Sequence, residues 1–134
     1  MTTLHGTCVD QLEKQPNASV EVIEEEIKEL RSPATMDRME AWLKERPKAV
    51  QEMARKFPHY QMYLVKKGAP YRFTGEGCVV AVYSFVEGKR GVELRCRVLR
   101  SPIGYAGVIA EIDPEYLEPI TLDDLKEMVK GDPN

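Results

Sequence analysis

The sequence is short of the residue types on which most protein chemistry depends. Its 134 residues hold two histidines, three cysteines and one tryptophan. Cys8, Cys78 and Cys96 are odd in number and show no C-x-x-C spacing, which argues against a disulfide framework or a zinc site. Cys78 and Cys96 sit inside apolar strand patterns, where a free thiol behaves as a small hydrophobe. A reducing cytoplasm is therefore the expected compartment. His5 and Cys8 lie three apart, but the further ligands of a structural zinc are missing. His59, between Pro58 and Tyr60, is explained by packing at a corner. No run approaches the roughly 18 apolar residues of a transmembrane helix, so no membrane partner is expected. Met1 to Gly6 carries neither a basic start nor an apolar run, and no secretory signal is expected. G-x-G-x-x-G, the P-loop and G-x-S-x-G are all missing, and the acids and histidines form no triad or carboxylate pair. These absences predict a protein that is not an enzyme, with no catalytic residue, metal ligand or cofactor.

What is present fits a globular chain. Apolar residues make up 43% and charged residues 31%, enough for one core and too apolar for a disordered chain. The net charge of −3 hides an uneven spread. Residues 58–102 carry 8 basic and 3 acidic side chains, whereas residues 103–134 carry 2 basic and 8 acidic ones. Such asymmetry can mark an interaction surface.

Periodicity divides the chain into four stretches. Residues 1–18 show no clear pattern and are expected to be flexible. Residues 19–58 carry short amphipathic helices. Ser19 caps the first, in which Val20, Ile23, Ile27 and Leu30 make one stripe. Pro33 ends that helix, and Ser32 or Thr35 caps a second with Met36, Met39, Trp42 and Leu43 on its apolar side. After Pro47, Val50, Met53, Ala54 and Phe57 repeat the helical spacing. The methionines and Trp42 are expected in the core, as is Met62. Residues 59–120 read as strands: Tyr60 to Lys66, a short extended Tyr71-Arg72-Phe73, Cys78 to Val86, Val92 to Leu99, Val108 to Ile112 and Leu117 to Ile120. Asp113 to Tyr116 suggests one tight helical turn. Residues 121–134 give a last helix capped by Thr121, with Leu122, Leu125, Met128 and Val129 as its stripe and Gly131 as its C-cap.

Val65 to Phe73, Gly77 to Val82 and Ile112 to Ile120 combine a lysine-glycine entry, a glycine before a valine run and a terminal Leu-Glu-Pro-Ile strand. In this texture, and over roughly 60 residues, the chain resembles the SH3-like barrels found in small bacterial proteins of translation, transcription and photosynthetic electron transfer. The resemblance implies an SH3-like antiparallel β-barrel, and with the helical stripes on either side the chain is expected to be α+β: N-terminal amphipathic helices, then the barrel, then a short C-terminal helix. A fold of this kind does not fix a function.

Two surfaces stand out as candidate sites. The first is basic: Arg72, Arg90, Arg95, Arg97 and Arg100, with Lys66, Lys67 and Lys89, and with Tyr71, Tyr83 and Phe85 as stacking surfaces. Arg95 and Arg97 share a strand face because side chains two apart point the same way. An adaptor that docks another protein, of acidic surface, is the leading expectation, and nucleic-acid binding through the same face is the alternative. Against both stands internal neutralisation by the acids that follow, from Glu111 to Glu127. If the face is exposed, replacing Arg95 and Arg97 by glutamate leaves stability nearly unchanged. The second surface is the strand from Cys78 to Val86, with Cys78, Val80 and Val82 on one face and Val79, Ala81, Tyr83 and Phe85 on the other. A strand apolar on both sides must be covered twice. Residues 20–57 are the expected cover, and a second copy of the chain in a homodimer is the other.

Overall fold

Apolar residues on both faces of the central strands determine how the chain folds. The computed structural model describes residues 3–4, 17, 19–71, 74–89 and 91–130. Six strands form one sheet: β1 (Thr3–Leu4), β2 (Met62–Val65), β3 (Val79–Gly88), β4 (Gly91–Arg100), β5 (Ile109–Glu111) and β6 (Leu117–Pro119). Their order is β1-β5-β4-β3-β2-β6, with β2 to β6 antiparallel and β1 parallel to β5. Four helices accompany them: α1 (Val20–Leu30), α2 (Pro33–Lys44), α3 (Lys48–Lys56) and α4 (Leu122–Lys130).

The protein is therefore α+β with an antiparallel five-strand sheet, but the sheet is not closed into the expected barrel. β1 and β6 stand at opposite edges, and no pairing joins them among the described residues. The physical reason lies in β3 and β4. A small closed barrel needs one apolar face, turned inward, whereas here both faces must be covered. Val80, Val82, Leu94, Cys96 and Val98 build one core with Val50 and Ala54 of α3, and Trp42 and Leu43 of α2 pack against it. Val79, Ala81, Leu99 and Met62 build the other with Val20, Ile23 and Ile27 of α1 and Leu125 of α4. Each fully buried aliphatic side chain contributes about 1.5–3 kcal/mol. The helices thus give the double cover expected of residues 20–57, with α4 sharing one side.

Local signals place the helices. Ser19 Oγ accepts from Val22 N at 3.3 Å, and Ser32 Oγ from Thr35 N at 3.4 Å with Pro33 just inside the helix. Thr121 and Asp124 cap α4 reciprocally, at 3.1 and 2.9 Å. Asp113 Oδ1 accepts from Glu115 N at 3.0 Å and starts the one-turn helix of Pro114–Tyr116. Met128, assigned by spacing to the buried stripe, is 40% exposed instead. Phe73, Gly131, the His5 and Cys8 pair and most of residues 1–18 lie outside the described residues.

Two bulges re-aim side chains that strict alternation misplaces. In the β3–β4 register Val82 faces Cys96 while Ser84 faces Arg95, so Tyr83 is the extra residue. Phe85 consequently returns to the face of Val80 and Val82, not to that of Val79 and Ala81, and is only 5% exposed. On β4 Val98 faces Val80 and Arg100 faces Val79, which leaves Leu99 as the extra residue. That bulge turns Leu99 into the core beside α1 and buries Arg100 at 8% exposure.

Candidate functional site

Arg95 and Arg97 do share one face of β4, on the side crossed by α1. Both are engaged there: Arg97 Nη1 is ion-paired with Glu26 of α1, and Arg95 Nη2 with Glu111 of β5 at 3.3 Å. Their side chains keep 30% and 32% of their exposure, and the Nε of each is buried without a hydrogen-bond partner. Tyr71 accepts a hydrogen bond from Asp113 N at 2.7 Å and stands edge-on to Tyr116. Phe85 is in the core, and Arg100 is buried beside Val79. Lys66, Lys67 and Lys89 are exposed. Arg72 and Arg90 lie outside the described residues.

Tyr83 points to a different site. Its bulge places it, with Ser84, on the wall of an open groove of about 700 Å³, a size that suits a ligand or an anchoring side chain. Glu29 and Leu30 end α1 on one side of it, and Thr35, Arg38, Met39 and Trp42 line it from α2. His59 and Tyr60 close it from the corner that leads into β2. The groove thus lies where the chain passes from α1, on one face of the sheet, to α2, on the other.

This corner is held tightly. Tyr60 has φ of 62°, a left-handed conformation that costs a bulky residue about 1–3 kcal/mol and persists only where its surroundings impose it. Here β3 imposes it: Tyr60 N donates to Val82 O at 2.8 Å and Val82 N to Gln61 O at 3.1 Å. That conformation also explains why the strand expected from Tyr60 begins only at Met62. His59 is 5% exposed and stands edge-on to Phe85, with ring centres 4.9 Å apart, and to Trp42 at 6.1 Å. Trp42 is also held by the Arg46 guanidinium, 4.9 Å from the ring centre. Arg46 Nε donates in turn to Trp42 O at 3.3 Å.

Charge in the groove is balanced. Arg38 and Glu29 stand among its lining residues, and Arg38 Nη2 donates to Thr35 Oγ1 at 3.3 Å. Burial lowers the pKa of His59, so the ring is neutral near pH 7. Burial raises that of Tyr60, helped by Tyr83 and opposed by Arg38, so its hydroxyl stays protonated. Neutral hydroxyls and aromatic walls can hold an apolar group and orient it by hydrogen bonds. A nucleophile paired with a base is lacking among these lining residues.

Cys78 and Cys96 are buried thiols; burial pushes Cys96 up to about 12 and raises Cys78, whose hydrogen bond with Ser101 opposes the shift. Among the described residues no group of His, Cys, Asp or Glu is placed to hold a metal ion. No helix among them is long and apolar enough to cross a membrane. Compared with protein-family models, curated proteins and solved structures, the chain matches none.

Of the residues that line the groove, Tyr83 is the one the sequence marks as a site residue, whereas Trp42, Tyr60 and Arg38 carry no such mark. One signal was available: Tyr83-Ser84 interrupts an otherwise apolar run from Cys78 to Val86, as a bulge does.

Proposed function

We propose that this is a non-catalytic binding protein, an adaptor that docks a segment of another protein in the groove between α1, α2 and β3. The observation that carries this reading is the groove itself, walled by Trp42, His59, Tyr60 and Tyr83 and left open by the fold. Exposed aromatic concavities with a few polar groups are where apolar anchors of partners lodge. The arginine strand supports docking less well, because Arg95 and Arg97 already face carboxylates of their own chain. For the same reason the partner needs no acidic surface, and nucleic acid has little free charge on that face to grip. A cytoplasmic setting suits two buried, unpaired thiols.

The test uses the single tryptophan. Affinity capture from the native host, repeated with a Trp42→Ala variant whose fold is verified by circular dichroism, identifies partners that depend on the groove. Their addition to the wild-type protein shifts Trp42 fluorescence. Partners that bind both forms equally, with no spectral shift, would overturn the assignment of the groove. Partners lost on Arg95→Glu but kept on Trp42→Ala would return the site to the arginine strand.

A further inference from the structure

β3 is longer than its neighbour on the groove side. β2 pairs with it only at Val79, Val80 and Ala81, and the corner adds the two bonds to Val82. From Ser84 to Gly88, β3 pairs with β4 alone. Among the described residues no strand lies beside the opposite edge of that stretch, and the groove begins there, since Ser84 lines it. An open strand edge offers backbone donors and acceptors at a fixed spacing, and an extended segment satisfies them by pairing. The far side of the ribbon is less open, because Ile112 N donates to Leu94 O at 3.0 Å. The sheet's end strand β6 is a poorer template: it is three residues long and ends in Pro119, which has no N–H.

We infer that the groove takes an extended segment of a partner protein, which adds to the open edge of β3 as a strand and sets one bulky apolar side chain against the half-buried rings of Trp42 and Tyr83. The inference rests on the docking reading above and names how the partner is recognised. Backbone pairing along Ser84 to Gly88 supplies register without reading sequence. Selectivity comes from the anchor alone, because side chains of an added strand alternate and only every second one faces the aromatic wall. Arg38 and Glu29 balance each other, so the segment need carry no particular charge. Charged or proline-rich segments are disfavoured by the apolar wall and by the missing N–H respectively.

A library of displayed random twelve-residue peptides, selected on the folded protein and counter-selected on Trp42→Ala, tests both levels. The expected winners alternate apolar and polar residues around one aromatic or large aliphatic anchor. Methylating alternate backbone nitrogens then separates two phases of the winner: one phase weakens binding by about tenfold or more and the other leaves it within about twofold. Hydrogen exchange across residues 84–88 slows on binding. Winners with apolar residues at helical spacing, or ones indifferent to N-methylation in both phases, would overturn strand addition while leaving the groove as a docking site. If counter-selection removes every enriched peptide, the groove reading falls together with this one.

Discussion

The arginine face and the aromatic groove border the same helix and end differently. α1 crosses β4 and closes the first with Glu26, while its last turn, Glu29 and Leu30, forms one wall of the second and leaves it open. The basic strand looked like the more reactive surface because charge is conspicuous in a sequence. A charge, however, tells only that some partner is needed, and a neighbour in the same chain serves as well as another molecule. The concavity lined by aromatic rings has no such internal partner among the described residues.

The comparison breaks most severely if α1 is loosened. Ile23 is 1% exposed and central to the core beneath α1. Ile23→Ala should cost about 2–5 kcal/mol, read from chemical denaturation. It should also expose the arginine face, so the variant should bind heparin more tightly than the wild type does. A variant as stable as the wild type would show that α1 adds little to that core. Next in size is the double replacement of Arg95 and Arg97 by glutamate. An exposed face predicts almost no change, but the structure sets the new carboxylates against Glu111 and Glu26. A loss of about 1–3 kcal/mol is expected, less than for a fully buried pair because roughly a third of each side chain stays exposed. Unchanged stability would mean that the ion pairs are not formed in solution and that the arginines are free for a partner.

Much of the fold could be read from pattern, and the failures have a common cause. The helix stripes of Val20, Ile23 and Ile27 and of Val50 and Ala54, the Ser19 and Thr121 caps and the turn at Asp113 follow from local chemistry, which acts over a few residues. The need to cover the Cys78–Val86 strand twice was also legible, since its apolar residues lie on both faces. The open sheet was not, because closure depends on how many strands meet and where helices land, which are long-range facts. The groove was hidden for a further reason. Trp42, Tyr60 and Tyr83 are far apart in sequence, and a bulge and one left-handed residue bring them together. Period-two counting put Phe85 on the wrong face through that same bulge, as one inserted residue reverses everything after it.

A smaller effect, confined to the groove, concerns His59. Burial holds its pKa below the ordinary 6.5, so the folded state favours the neutral ring. Above pH 6.5 the ring is neutral in both folded and unfolded chains and the group costs nothing. As the pH falls from 6.5 toward the lowered native value, the unfolded chain takes up a proton first and stability drops. Thermal melts of the wild type should fall between about pH 7 and pH 5, and those of His59→Gln should fall less over that range. Equal slopes for the two would place the acid sensitivity elsewhere, on carboxylates such as Glu26 and Glu111 that also lose charge.

The least change is expected from Arg38→Gln, and it separates a structural wall from a binding wall. Arg38 is exposed, and its one described side-chain bond, to Thr35 Oγ1, is an exposed contact within α2. Glutamine keeps the helix propensity and much of the stem, so stability should stay within about 0.5 kcal/mol. Removing the guanidinium also removes the positive charge that opposes the rise of the Tyr60 pKa, so the Tyr60 phenol should titrate at still higher pH, as seen by ultraviolet absorbance. That shift, with folding unaltered, would place Arg38 within electrostatic reach of the groove's hydroxyls and keep Glu29 as its counterweight. If Tyr60 titrates as before, Arg38 belongs to the solvated side of α2, and the groove is more purely aromatic than its lining suggests.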